Sequence, residues 1–188
     1  MIVIGGSLGG CDALRKILKR LPAGFGLPIA AVLHRHRESG DMLVPVVQRG
    51  CRLRVSEAED KEPIKPGRVY LCPADYHLMI DRDYLTLSTD DPVSFARPSV
   101  DVLFESAAEW QRQQAIAVIL TGSGSDGSRG ARRIEEYGGT VLVQDPKDAE
   151  GPWMPAAAIA ATRSPTVLTL AEIAKKLIAV AAHRGNPR

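Results

Sequence analysis

Residues 1–18 read MIVIGGSLGGCDALRKIL. Ile2-Val3-Ile4 is apolar and β-branched, the pattern of a short buried strand. From Asp12 onward, Leu14, Ile17, Leu18 and Leu21 recur at helical spacing, with Arg15, Lys16, Lys19 and Arg20 on the opposite side. Gly5-Gly6-Ser7-Leu8-Gly9-Gly10 is therefore a tight strand-to-helix turn, and the helix it opens offers free N–H groups and a partial positive charge. Such a turn can cradle a phosphate, present Ser7 as a nucleophile, or merely reverse the chain.

Outward from this turn the same alternation continues. Pro28–Leu33 is a second apolar run, ending in His34-Arg35-His36-Arg37. A helix is predicted around Met42–Arg49, a short strand at Leu53–Val55, and a charged, proline-containing loop over Glu57–Pro66. Val69–Cys72, Tyr76–Ile80 and Tyr84–Leu87 read as strands, the last two forming an antiparallel hairpin across Asp81-Arg82-Asp83. Ser99 is placed to cap a helix running to about Gln113. Ala115–Leu120 is a third apolar strand and ends in TGSGSDG, residues 121–127. A helix to about Tyr137, a strand at Thr140–Val143, a helix at Met154–Ala161 and a strand at Thr166–Leu168 follow. Thr169-Leu-Ala-Glu172 is a capping-box pattern that opens a last helix. Fully apolar strands alternating with helices mean an α/β fold, with a mostly parallel sheet covered on both faces.

Composition narrows the function. The 188 residues carry a net charge of +2 and few aromatics, which argues against nucleic acid and base stacking. No apolar run reaches membrane-spanning length and nothing resembles a signal peptide. Cys11, Cys51 and Cys72 are odd in number and far apart, as in a reducing cytoplasm rather than a disulfide framework or zinc site. The expectation is a cytoplasmic single domain over residues 1–188, with no cofactor, no metal and no membrane insertion.

In a parallel sheet the chemistry gathers just beyond the carboxyl ends of the strands. A dinucleotide turn needs a second glycine where Ser7 stands, and an acidic residue where the second strand ends in His34. A P-loop needs Gly-Lys-Ser/Thr, which is absent. Gly5-Gly6-Ser7-Leu8-Gly9 instead fits G-x-S-x-G, the elbow that lifts a serine hydroxyl above a sheet. A nucleophilic serine needs a base and the base an orienting acid. His34 follows one strand and Asp126 another, so all three types meet at one sheet edge. Their chain order, Ser-His-Asp, differs from the Ser-Asp-His of α/β-hydrolases.

VIGGSLGG, VLH, VYLCPADYHLMI, RPSVDVLFESAAE, VILTGSGSDGSRGARRIEEYGGTVLVQDP and MPAAAIA resemble, in order, the characteristic blocks of the CheB-type chemotaxis receptor methylesterases, from residue 1 to about 170. The resemblance implies a doubly wound α/β sheet with an inserted antiparallel hairpin. It also implies hydrolysis of glutamate methyl esters on the cytoplasmic helices of chemoreceptors, with glutamine deamidation in some members. Carried over by position, Ser7 would be the nucleophile, His34 the base and Asp126 the orienting acid. The backbone N–H groups of Leu8 and Ser123 would form the oxyanion hole. The chain departs from the family's usual residues at Leu8, Arg35 and Ser123. The family usually carries an N-terminal receiver domain, for which there is no room before Ile2, so control would fall to a separate regulatory partner protein.

Other residues carry alternatives. His36 is the fallback base, and His77 is a local hydrogen-bonder or a border of the pocket. Arg35 and Arg129, with Arg37, Arg132 and Arg133, are either a surface that meets a glutamate-rich helix or an ordinary solvated face. Cys11 reads as a small residue packed at a helix start. A different class of function, a catalytically idle relative acting as a binding or regulatory module, competes with the esterase reading.

Overall fold

The computed structural model describes residues 1–35 and 42–184; His36 and Arg37 lie outside them. The elements are β1 (Ile2–Gly6), α1 (Gly10–Leu18), β2 (Ile29–Leu33), α2 (Leu43–Gln48), β3 (Arg54–Glu57), β4 (Glu62–Pro63), β5 (Arg68–Leu71), β6 (His77–Asp81) and β7 (Tyr84–Ser88). There follow α3 (Val100–Gln111), β8 (Ile116–Ile119), α4 (Ser128–Glu136), β9 (Thr140–Gln144), α5 (Trp153–Ala161), β10 (Thr166–Leu168) and α6 (Leu170–Arg184). Seven strands form a parallel sheet in the order β10-β9-β8-β1-β2-β5-β3, and β4-β7-β6 form a separate antiparallel sheet. The expected hairpin is β6–β7. Its third strand, Glu62–Pro63, falls inside the stretch read as a loop, because two residues ending in proline carry no alternation to detect.

The central strands β1, β2 and β8 are buried at every position, which is why they read as unbroken apolar runs. Ile2 and Ile4 belong to a core with Leu14 and Ile17 of α1 and Ile173 and Leu177 of α6. Val3 belongs to the opposite core, with Leu103 and Phe104 of α3, Ile134 of α4, Ala158 of α5, and Leu78 and Leu85 of the small sheet. The capping box forms: the Thr169 N–H donates to Glu172 Oε2 at 2.9 Å.

Two features of this architecture place a site. The neighbours of β1 are β2 on one side and β8 on the other, so the strand order switches direction at β1 and leaves a crevice beyond its carboxyl end. The first turn of α3 also presses against β1. A Cβ on Gly5 would lie 2.2 Å from Val100 Cγ1, so only glycine allows α3 to begin directly over this strand.

Candidate active site

Parallel pairing brings Gly6 opposite Leu33, and the His34 N–H donates to the Gly6 carbonyl at 3.0 Å. Ser7 and His34 therefore each follow directly on the last registered pair of β1 and β2. The Ser7 turn is also clasped to the end of β8. The Ser7 N–H donates to the Thr121 carbonyl at 3.0 Å, and Thr121 Oγ1 donates to the Leu8 carbonyl at 2.9 Å. Thr121 is held in turn by its own N–H, which donates to the side-chain oxygen of the buried Gln144 at 2.8 Å. Gly122 lies against the serine: a Cβ there would sit 2.8 Å from Ser7 Cβ and 2.2 Å from Met154 Sδ.

The connection from β8 to α4 also supplies Asp126, buried two residues before the helix. His34 Nε2 lies 2.7 Å from Asp126 Oδ2. The same carboxylate accepts the Val100 N–H (2.7 Å), the Asp101 N–H (3.0 Å) and the Ser99 hydroxyl (2.8 Å). Burial alone would push the Asp126 carboxyl up. The hydrogen bonds from His34, Asp101, Val100 and Ser99 outweigh it and hold the group below the usual carboxylate range. An ionised carboxylate only accepts, so Nε2 of His34 is the donor, and in the neutral imidazole the lone pair sits on Nδ1. The N–H groups of Leu8 and Ser123 donate no hydrogen bond among the described residues, which leaves both available to an anionic oxygen.

Ser99 stands at the N-cap position of α3, as its type suggested, but its side chain does not cap that helix. Its hydroxyl turns to Asp126, and Asp126 caps α3 in its place. The cap comes from an aspartate 27 residues away, which local spacing cannot reveal. His77 hydrogen-bonds residues distant in sequence, one of them the Ser99 that holds Asp126. It is buried, its Nδ1 accepts the Ser99 N–H at 3.2 Å, and its Nε2 faces the Asp91 carbonyl at 3.2 Å. Thr121 and Gln144 thus support the site without having been legible as parts of it, Ser99 was legible only as a helix cap, and His77 was legible only as one of two alternatives.

A cavity of about 350 Å³ opens beside His34, lined by His34, Arg35, Phe95, Ala96, Arg97 and Pro98. Arg35 is largely buried and ion-paired through Nη2 with Glu57; Arg129 is exposed and pairs with Glu105. Both guanidiniums named as substrate-facing thus carry their own counter-charges. Burial raises the Cys11 thiol, as it raises Cys51 and, to about 12, Cys72, so none of the three is set up as a thiolate nucleophile. Among the described residues no cluster of metal-ligating side chains occurs, and no helix is long and apolar enough to cross a membrane.

A relative in Leptospira interrogans is 46% identical over 178 residues, covering 94% of this chain and 92% of that protein. A protein-glutamate methylesterase/protein-glutamine glutaminase of Maricaulis maris is 37% identical over 182 residues, 95% of this chain but 45% of that protein. The crystal structure of the Thermotoga maritima CheB methylesterase catalytic domain superposes with a TM-score of 0.90 at 37% identity, covering 95% of this chain and 97% of that one. With a family model for the CheB methylesterase matching residues 2–177, the chain belongs to the CheB methylesterase family.

Proposed function

We propose that this chain hydrolyses methyl esters of glutamate side chains on chemoreceptor helices, with Ser7 as nucleophile, His34 as general base and Asp126 as the orienting acid. The observation that carries the reading is the 2.7 Å contact between His34 Nε2 and an Asp126 carboxylate already fixed by three other donors. With Nε2 committed to Asp126, Nδ1 is the nitrogen that takes the Ser7 proton as Oγ attacks the ester carbonyl. The imidazolium, stabilised by Asp126, then protonates the departing methanol. Water repeats the sequence on the acyl-enzyme and releases the glutamate carboxylate and Ser7. The Leu8 and Ser123 amides stabilise the tetrahedral oxyanion in both halves. Attack on a glutamine amide uses the same groups, with ammonia leaving, and the relatives' paired names support that second substrate.

The test is methanol release from methylated receptor by the purified chain, compared with Ser7→Ala. Release by the wild type and none by the variant is the expected result. Release that survives Ser7→Ala would remove Ser7 from the reaction. A wild type that binds receptor without turnover would favour the idle binding module instead.

A further inference from the structure

Val93, Ser94, Phe95 and Ala96 form a tight reversal. The Val93 N–H donates to the Ala96 carbonyl at 3.1 Å and the Ala96 N–H to the Val93 carbonyl at 2.9 Å, an antiparallel bridge closed by a two-residue loop. Both loop residues have positive φ, 52° at Ser94 and 63° at Phe95. This is the backbone of a type I′ turn, for which Asn-Gly is the favoured pair. A bulky aromatic in the left-handed region costs conformational energy that glycine would not. Phe95 recovers nothing from packing, because it is fully exposed.

The turn is also held firmly. Arg97 donates from Nε and Nη2 to Asp75 Oδ1 (2.9 and 2.7 Å) and from Nη1 to the Thr89 and Asp90 carbonyls (2.8 and 3.0 Å). An unfavourable residue on a rigid turn, with its ring in solvent, is an outlier from which a role can be argued. Its location supplies the role, since Phe95 and His34 line the same cavity.

On the Ser7 side of the crevice the apolar exposure continues. Leu8, next to the serine, is half exposed, and so is Trp153, which precedes the Met154 that packs on Gly122 against Ser7. The arginines lining the cavity are neutralised, Arg35 by Glu57 and Arg97 by Asp75. The crevice thus exposes apolar side chains among arginines that are ion-paired, and is locally charge-balanced rather than cationic. It suits a helix whose esterified glutamates are themselves uncharged.

We propose that Phe95 is a specificity-determining residue, a fixed aromatic anchor that packs against the apolar face of the protein substrate's helix while the ester enters beside His34. The proposal rests on the methylesterase reading. It assigns the docking of that substrate to apolar contact at Phe95 rather than to steering by Arg35 and Arg129.

The test uses Phe95→Gly, a substitution the turn geometry favours, so its melting temperature should equal or exceed that of the wild type. In a Ser7→Ala background, binding of a methylated receptor fragment should weaken about 10- to 100-fold on adding Phe95→Gly, the range of a truncated aromatic anchor. Phe95→Leu should restore most of it. In the active enzyme the loss should fall on KM, and the ratio of kcat/KM on receptor to that on p-nitrophenyl acetate should drop by a similar factor. Unchanged affinity in the Phe95→Gly variant, or no binding of the fragment by Ser7→Ala at all, overturns the proposal. A wild type that releases no methanol sinks the methylesterase reading separately, since the binding comparison still decides the role of Phe95.

Discussion

Asp126 and Asp101 cap each other's helices. Asp126, two residues before α4, accepts the first two N–H groups of α3, and Asp101, in the first turn of α3, accepts the Gly130 N–H of α4 at 2.8 Å. Both carboxylates are buried. The acid that faces His34 is therefore also a structural clamp between two helices, and its orientation is set by backbone groups that cannot rotate away.

Replacing Asp126 should accordingly damage two properties at once. Asp126→Asn puts an amide donor where the carboxylate accepts from Ser99, Val100, Asp101 and His34, leaving at least one buried donor without an acceptor. Denaturant unfolding should show a loss of about 1–3 kcal/mol. Turnover should fall by up to about 10⁴-fold, because the amide also favours the wrong imidazole tautomer. Unchanged turnover would exclude Asp126 from the reaction.

Ser7→Ala is expected to behave oppositely. The turn is held through the Ser7 main chain, by its N–H to Thr121 and its carbonyl to Gly10, and those bonds survive the substitution. The melting temperature should stay within about 2 °C of wild type, as for a surface change of under about 0.5 kcal/mol. Acyl-enzyme formation, followed by mass spectrometry with a slow ester, should vanish. A large drop in melting temperature would mean the hydroxyl has a structural partner.

Gly122→Ala tests whether the serine is positioned by packing. The new methyl would meet Met154 Sδ, which can swing aside, and Ser7 Cβ, which cannot without breaking the clasp to Thr121. If Ser7 is the nucleophile, as proposed, a displacement approaching 1 Å is worth about 10²-fold in rate. Esterase assays should show kcat falling by at least about tenfold with the fold retained by circular dichroism. Wild-type kcat would show that the crevice relaxes around the methyl.

The order of elements and the crevice were legible because β1, β2 and β8 are buried on both faces and β1 runs straight into a glycine turn. Ser7, His34 and Asp126 follow three separate strand ends; the fold joins His34 to Asp126 and sets His34 beside Gly6, the residue before Ser7. The clamp was not legible. Ser99 looked like an ordinary helix cap, and the carboxylate that takes over its capping role comes from another element. The ion pairs of Arg35 and Arg129 were not legible, because Glu57 and Glu105 approach them only in the folded chain.

The two clamp carboxylates should pull stability in opposite directions as pH changes. Asp126 is held below the ordinary carboxylate value of about 3.9. The unfolded chain therefore binds its proton more readily, and the stability it contributes is present above that value and lost as pH falls through its lowered folded value. Asp101 is raised, first by burial and further by the neighbouring Asp126 charge, against the pull of the Gly130 N–H. There the folded chain binds the proton more readily, so stability falls as pH rises from about 3.9 through the raised folded value. Asn at position 101 keeps an oxygen for the Gly130 N–H and removes the cost of a buried charge. Measured by denaturant unfolding from pH 3 to 7, Asp101→Asn should gain on the wild type as pH rises. Asp126→Asn should be most destabilised above pH 4 and recover part of its deficit towards pH 3. Two difference curves bending the same way would mean that one of these carboxylates is not held as the geometry requires.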